Sequence, residues 1–251
     1  MNRPENRTAL VTGGSAGIGA ETCRLLAERG HDVWLTYASD AGGAERTADA
    51  CRERGVRAVV SPLDQRDTHA IERLTDRIAA EWGHLDVLVN NAGTCPYTDW
   101  DAITGDEWDT VMETNARGAF FLMRHAVPLL GAAGGGASIV NVASLAGQIG
   151  GLSTSAHYAA SKAAVLALTR SFARRLAPEG IRVNAVAPGP IGTGLIAPLD
   201  ASARDALAAS VPLGRLGRAH DVAHTIVLLA SADAAFTTGA TYDVNGGLRM
   251  D

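Results

Sequence analysis

The sequence has very little lysine: of its 22 basic residues, Lys162 is the one lysine and the rest are arginines. Cysteine is also scarce, and Cys23, Cys51 and Cys95 form no CxxC pair, which argues against a disulfide framework or a metal site and favours a reducing cytoplasm. No apolar run reaches the ~18 residues of a membrane span, and the first residues do not resemble a signal peptide. We therefore expect a cytoplasmic protein without a metal ion and without a membrane partner.

The charge balance narrows the classes of partner. The formal net charge of -5 argues against nucleic-acid binding, which requires a basic face. It leaves open a phosphate-bearing cofactor, because backbone N–H groups bind phosphate on acidic proteins too. A chain of 251 residues without a linker, repeat or charge block fits a single domain covering 1–251.

Short β-branched runs alternate with amphipathic stretches along the chain. Strands separated by helices of 10–15 residues predict right-handed βαβ units, hence a doubly wound, seven-stranded parallel sheet with helices on both faces, a Rossmann fold. The irregular segment Gly189–Pro212 is a candidate substrate lid. The predicted strands are Ala9–Thr12, Val33–Tyr37, Ala58–Ser61, Val87–Asn90, Ser138–Val142, Arg182–Val186 and Thr241–Val244, and the predicted helices are Gly17–Arg29, Gly43–Arg54, Thr68–Trp82, Gly105–Leu130, His157–Ala177 and Ala219–Ala230.

Two turns in this pattern are typical of cofactor binding. The first strand runs into the glycine-rich segment Thr12–Gly19, where a backbone turn and a helix N-terminus would approach a pyrophosphate. The fourth strand ends in Asn90–Gly93, which would face the same crevice. Asp64 follows the third strand, where a carboxylate can accept from an adenine amino group. Each feature alone also fits an ordinary turn or cap.

Tyr158 and Lys162 carry the chemical prediction. Four residues apart on one helix, they share a face, so a phenol and an ammonium can project into the crevice together. A nearby cation favours the phenolate, and we expect Lys162 to lower the pKa of Tyr158 and so make it a general acid or base. Arginine is larger and always charged, so it would be a poor substitute. Ser144 is a candidate for holding a substrate oxygen, and Asn115 for placing a water near Lys162.

Taken together, these motifs closely resemble the short-chain dehydrogenase/reductase family over essentially the whole chain. The motifs are TGxxxGxG at Thr12–Gly19, Asn90–Gly93, Asn115, Ser144, Tyr158/Lys162, Pro188-Gly189, Thr193 and the segments Thr238–Thr241 and Asn245–Gly247. The resemblance implies hydride transfer between a nicotinamide and a ketone or secondary alcohol, with Tyr158 as general acid/base, Ser144 orienting the substrate and Asn115 in a water-mediated proton path. It also implies a homo-oligomer, a tetramer or a dimer.

The resemblance further assigns residues around the cofactor. These are Gly13, Ser15, Gly17, Ile18 and Gly19 at the pyrophosphate, Tyr37, Ser39, Asp64 and Gln65 on the adenosine side, Asn91, Ala92 and Gly93 along the ribose, and Pro188, Gly189, Ile191, Thr193, Tyr158 and Lys162 near the nicotinamide. No carboxylate follows the second strand until Asp40, which favours NADP(H) with Ser39 as a phosphate partner. Ala16 stands where many NADP-using relatives carry a basic residue, so NAD(H) remains possible.

The substrate is poorly specified. Cys95, Tyr97, Leu145, Gln148 and Ile196, with Pro96, Trp100 and Ile149, would form an apolar pocket for a small carbonyl or alcohol. The loop between Ser144 and Tyr158 is about one residue longer than in many relatives and would shape substrate choice.

Three alternatives stay open. A carrier-delivered 3-oxoacyl or polyketide substrate is disfavoured because Leu129–Ala137 contains no basic residue, although Arg124, Arg170 and Arg174 would remain for docking. A non-catalytic dinucleotide sensor is disfavoured by the intact set of Asn115, Ser144, Tyr158 and Lys162. An epimerase or dehydratase is disfavoured by the short C-terminal region.

Overall fold

The parallel sheet sets the position of every functional residue. The computed structural model describes residues 7–151, 154–197 and 199–250, and within them seven strands lie in the order β3-β2-β1-β4-β5-β6-β7, all neighbours parallel. The doubly wound, Rossmann-type fold predicted from the sequence is confirmed. The strands are β1 Arg7–Val11, β2 His31–Tyr37, β3 Ala58–Pro62, β4 Val87–Asn90, β5 Ser138–Val142, β6 Arg182–Pro188 and β7 Thr241–Val244.

Nine α-helices are described around this sheet. They are α1 Gly17–Glu28, α2 Ala41–Arg52, α3 Thr68–Trp82, α4 Gly105–Met112, α5 Gly118–Ala132, α6 Ala146–Ile149, α7 Ala156–Leu176, α8 Ala201–Ser210 and α9 Ala219–Ala230. None of the helices in the described ranges is long and apolar enough to cross a membrane.

The helices cover both faces of the sheet, because successive strand residues point to opposite sides. On one face, Val11 and Leu35 belong to a cluster with α1, α2 and α9. On the other, Leu10 and Trp34 belong to a cluster with α3, α5 and α7. Strands buried on both sides must be apolar throughout, so the first polar residues after each strand mark the carboxyl edge where the site lies.

The predicted continuous helix Gly105–Leu130 is wrong. It is divided by a π-helical turn at Glu113–Arg117, in which Gly118 N–H bonds to the Glu113 carbonyl. At Gly118 an added Cβ would lie 2.7 Å from the Gln65 Cβ, so glycine lets this turn approach the loop after β3. Such one-turn expansions are frequent at functional sites, and this one carries Asn115.

Two helices were not predicted. The four-residue α6 directly follows Ser144, and α8 lies inside the segment predicted to be irregular, Gly189–Pro212. In α8 the Asp200 carboxylate accepts from Ala203 N–H as an N-cap. A lid function for this segment stays a prediction. Its residue 198, like residues 152 and 153 of the loop before Tyr158, is outside the described ranges.

Candidate active site

A single large cavity of about 880 Å³ runs along the carboxyl ends of the strands. Most of the predicted site residues line it. They are Gly13, Ser15, Gly17, Ile18, Tyr37, Ser39, Asp64, Gln65, Asn91, Ala92, Gly93, Cys95, Tyr97, Ser144, Leu145, Tyr158, Lys162, Pro188, Gly189, Ile191, Thr193 and Ile196. The cavity therefore joins the glycine-rich turn to the Tyr158 helix, as the sequence predicted for one shared crevice.

The glycine-rich turn needs glycine at specific positions. Gly13 and Gly17 have φ of 65° and 56°, in the left-handed region that side chains disfavour. Gly19 does not line the cavity, because it faces the turn itself: a Cβ there would collide with the Gly13 carbonyl oxygen. Asn91 fixes the turn from the next strand end by donating to the Thr12 and Gly13 carbonyls at 2.8 and 3.1 Å. Gly19 and Asn91 thus fix the backbone conformation of the turn through their contacts with it.

Ser144, Tyr158 and Lys162 converge at the end of β5. Lys162 is buried, and its Nζ lies 5.8 Å from the centre of the Tyr158 ring and donates to the Val142 carbonyl at 2.8 Å. Gly93 makes room for this ammonium, since a Cβ at that position would lie 3.4 Å from Nζ. The predicted side-by-side placement of the phenol and the ammonium is therefore present in the structure.

The sequence predicts that the pKa of Tyr158 is lowered, and this prediction is wrong: the surrounding residues of the protein raise it. Burial raises the pKa of Tyr158 above its usual value, Cys95 raises it further, and the interaction with Ser144 opposes the rise only in part. Burial also lowers the pKa of Lys162 to about 8. Desolvation by burial is the largest cause of both shifts, and the Lys162 ammonium donates to the Val142 carbonyl. Tyr158 is consequently protonated at neutral pH, the form that is able to donate a proton.

Lys162 should make the fold more stable as pH rises. Its folded pKa of about 8 is below the ordinary 10.5, so between these values the unfolded chain binds more protons and stability increases with pH. We expect the difference in unfolding free energy between wild type and Lys162→Met to change by about 2 kcal/mol from pH 7 to pH 10 in favour of wild type. Urea titrations at both pH values measure it, and a pH-independent difference would contradict the burial of an ionisable Lys162.

Asn115 links the loop after β4 to α7. Its Oδ1 accepts from Thr94 N–H at 2.8 Å, and its Nδ2 donates to the Thr94 carbonyl and to Ser161 Oγ, both at 2.9 Å. Ser161 Oγ in turn donates to the Tyr158 carbonyl at 2.7 Å. The Asn115 side chain therefore holds in place the backbone of Thr94, which lines the cavity. A water path through Asn115 stays a prediction.

The end of the cavity beside β2 and β3 contains charged side chains that already have partners. Arg66 donates to both carboxylate oxygens of Asp64, at 3.0 and 2.7 Å, and holds the pKa of Asp64 below its usual value. Asp40 accepts from Gly43 N–H at 2.8 Å as the N-cap of α2. An adenine contact from Asp64 stays a prediction, while Asp40 is committed to its helix and Ser39 is exposed beside it.

Three residues predicted for the substrate pocket, Pro96, Trp100 and Gln148, do not line the cavity. Gln148 does not line the cavity, because α6 turns its side chain toward β7, where Nε2 donates to Asp243 Oδ1 at 2.8 Å. Trp100 is 81% exposed and lies outside the cavity. No local pattern predicts α6, yet this helix decides which residues of the segment face the pocket: Leu145, just before it, and Ala146 and Ile149 within it line the cavity.

Other cavity residues were missed by the sequence reasoning. Thr154, Leu207 and Leu248 all line it. Leu207 belongs to the unpredicted α8, whose small residues gave a weak helical pattern, and Leu248 reaches the site from the C-terminal segment. Thr154 lies in the loop between Ser144 and Tyr158, whose extra length predicts an effect on substrate choice.

Comparison with known proteins decides the family. A family model described as Enoyl-(Acyl carrier protein) reductase matches residues 13–249. The cis-4-hydroxycyclohexanecarboxylate dehydrogenase of Sinomonas cyclohexanicum is 46% identical over 242 residues, 96% of each chain. A short-chain dehydrogenase from Burkholderia cenocepacia, solved in complex with NADP, is 34% identical with a TM-score of 0.92, over 98% of this chain and 99% of that one. The chain belongs to the short-chain dehydrogenase/reductase family.

Membership in the short-chain dehydrogenase/reductase family makes the chain a nicotinamide-dependent oxidoreductase. Another relative is the 3-oxoacyl-(acyl-carrier-protein) reductase of Staphylococcus aureus, 37% identical over 97% of this chain and 98% of its own. The cavity fits the family's cofactor on two observations. The left-handed glycines expose backbone at the helix start. The buried Gln65 Oε1 lines the cavity without a hydrogen-bond partner among the described residues.

Proposed function

We propose that the chain is an NADP(H)-dependent reductase and dehydrogenase of small, free ketones and secondary alcohols, with a six-membered ring carrying a second oxygen function as the preferred class. The observation that carries this proposal is the convergence of Ser144, Tyr158 and Lys162 at the apolar end of the cavity. The substrate named for the 46%-identical relative, a hydroxycyclohexanecarboxylate, supports the ring.

The proposed mechanism assigns one task to each side chain. Ser144 donates to the carbonyl oxygen, and Tyr158, kept protonated by burial, gives that oxygen its proton as the alcohol forms. A bound NADPH supplies the hydride that the carbonyl carbon gains, and its oxidised form would add the positive charge that favours the phenolate in the reverse direction. Lys162 holds a positive charge near the phenol and would bind a ribose hydroxyl of the cofactor. Lys162, Asn115 and Gly93 thus keep the proton donor fixed.

A substrate panel followed at the nicotinamide absorbance tests this proposal. We expect NADPH oxidation with cyclohexanone and 4-oxocyclohexanecarboxylate, and NADP reduction with the corresponding alcohols. A 3-oxoacyl thioester belongs in the panel, because the relative from Staphylococcus aureus acts on carrier-bound acyl groups by its name. If only the thioester were turned over, carrier delivery would replace the free ketone. Tight NADPH binding without any turnover would instead support a sensor.

The choice of NADP(H) rests on the end of β2. The carboxylate nearest to that strand end, Asp40, accepts from Gly43 N–H as the N-cap of α2, and Ser39 and Ser15 line the cavity beside it. The neighbours of known structure from Burkholderia cenocepacia and from a metagenomic library were solved with NADP and NADPH. These observations favour a 2′-phosphate over a free hydroxyl.

Ala16 gives this preference a sharp test. It lines the cavity at the start of α1, so a basic side chain there would meet a 2′-phosphate. We expect Ala16→Arg to tighten NADPH binding about tenfold, equivalent to about 1.4 kcal/mol for one charge-assisted contact, with little change for NADH. Fluorescence titration measures both, and Ala16→Gln is the uncharged control. Equal gains for NADH, or NADH binding more tightly to wild type, would contradict the assignment.

We also propose that the chain acts in the cytoplasm as a homo-oligomer, a dimer or a tetramer. Cys23, Cys51 and Cys95 are free and buried, which suits a reducing compartment. Large apolar side chains are exposed on α9, on β7 and on the segment between them: Leu228, Tyr242 and Phe236 are 38, 39 and 106% exposed. Such a surface favours a protein partner, and light scattering would show whether the partner is a second copy.

A further inference from the structure

Two cavity segments are joined beside the catalytic phenol. Ser155, just before α7, donates from Oγ to the Pro96 carbonyl at 2.9 Å and ties the loop after β4 to the loop preceding Tyr158. The next residue along the first loop is Tyr97, and the residue before Ser155 is Thr154. Both line the cavity. The hydrogen bond between Ser155 and Pro96 therefore brings two hydroxyl-bearing side chains to one part of the wall.

The Thr154 hydroxyl is buried without a hydrogen-bond partner among the described residues, and Tyr97 supplies a second hydroxyl nearby in the chain's cavity lining. A buried hydroxyl without a partner is unfavourable, because it has lost its hydrogen bonds to water and gained none in return. Tyr97 is half-buried and packs against the cluster that contains Tyr158 and Cys95. Burial raises the pKa of Tyr97, so its hydroxyl remains a donor at and well above neutral pH.

The surrounding wall lacks charge. Of the described cavity residues, Asp40, Asp64 and Arg66 line the adenosine side, and Lys162 lies under Tyr158. The other described residues that line the cavity are uncharged, and the apolar side chains of Leu145, Ile149 and Ile196 are among them. A polar group of the substrate entering this region would therefore meet uncharged donors only, and a buried oxygen needs such donors to offset its lost hydration.

We propose that Tyr97 and Thr154 are the specificity-determining pair of this enzyme, receiving a second oxygen acceptor of the substrate while its carbonyl is held at Ser144 and Tyr158. This rests on the proposed function and names its recognition element. Because both donors are neutral, they serve a carboxylate oxygen and an ester or amide carbonyl oxygen alike. The pair selects an oxygen-bearing ring ketone over the plain ring ketone.

The test compares three ketones in wild type, Tyr97→Phe and Thr154→Val. The ketones are 4-oxocyclohexanecarboxylate, its methyl ester and cyclohexanone. We expect the ratio of kcat/KM for either oxygen-bearing ketone to that for cyclohexanone to fall about tenfold in each variant, mainly through KM, as for one lost hydrogen bond of about 1.4 kcal/mol. Tyr242→Phe and Thr225→Val, which remove the same hydroxyls outside the cavity, should leave the ratio unchanged.

The outcomes distinguish a failure of the Tyr97 and Thr154 proposal from a failure of the proposed ketone reductase activity. An unchanged ratio in both variants, or equal losses for all three ketones, would overturn the pair as a specificity element while leaving the ketone reductase intact. If the ratio fell for the methyl ester alone, the claim that the two hydroxyls bind a carboxylate and an ester oxygen alike would be overturned. If wild type reduced none of the three ketones although NADPH bound, the ketone reductase itself would fall, and the pair with it.

Discussion

Tyr158→Phe is expected to lower kcat for ketone reduction by about 10³-fold, within the range typical of a lost general acid. The phenol is the proposed proton donor; it interacts with Ser144, and its raised pKa keeps it protonated at neutral pH. Phenylalanine fills the same space but provides no proton, so the carbonyl oxygen would have to take one from water in a largely apolar cavity.

The rest of the molecule should tolerate this change. NADPH affinity should stay within a few-fold of wild type, and the melting temperature should not fall, because the buried phenol oxygen is removed without leaving a cavity. Single-turnover kinetics would separate the chemical step from binding and product release. A variant that kept most of its turnover would show that another group delivers the proton.

Lys162→Arg is expected to reduce kcat/KM by about 100-fold or more, although it conserves the charge. The ammonium occupies a narrow, buried space between the Val142 carbonyl and Gly93, and a planar guanidinium does not fit there without displacing the strand end. Overpacking of this kind costs about 1–3 kcal/mol, so the melting temperature should fall as well. Steady-state kinetics and thermal unfolding measure the two effects.

Lys162→Met is the matched control for that variant. It should lose activity too, yet it should unfold at a higher temperature than wild type at neutral pH, because it removes a buried ammonium whose pKa burial has lowered to about 8. If the melting temperature fell in Lys162→Arg and rose in Lys162→Met while both variants lost activity, Lys162 would be identified as a residue that is needed for function although it destabilises the fold. Near-normal turnover in Lys162→Arg would contradict its role as a compact cation.

The fold could be predicted because its signal is local. Buried parallel strands must be apolar on both faces, so the strand runs stand out, and the polar residues at their ends mark the crevice. The four-residue spacing of Tyr158 and Lys162 likewise translates directly into one helical face. These inferences need only backbone periodicity and the strand order that right-handed crossovers impose.

The remaining details depend on tertiary contacts. The π-helical turn at Glu113–Arg117 follows from the close approach of Gly118 to Gln65, which no local pattern shows. Gln148 was predicted for the pocket but faces Asp243 on β7, far away in sequence. The sign of the Tyr158 pKa shift was wrong because spacing reveals a nearby cation, whereas desolvation depends on the packing of Cys95 and its neighbours around the phenol.

Transfer of deuterium from NADPH labelled at the nicotinamide C4 position tests the central claim most directly. With the correctly labelled face, the product of 4-oxocyclohexanecarboxylate should be a hydroxy acid one mass unit heavier, with deuterium at the carbinol carbon and none exchanged from water. In Tyr158→Phe this product should form about 10³-fold more slowly at similar NADPH occupancy. Hydride transfer by this site would be contradicted if the alcohol carried no deuterium with either of the two C4-labelled forms of NADPH. It would also be contradicted if NADPH bound but no ketone or alcohol tested gave a product.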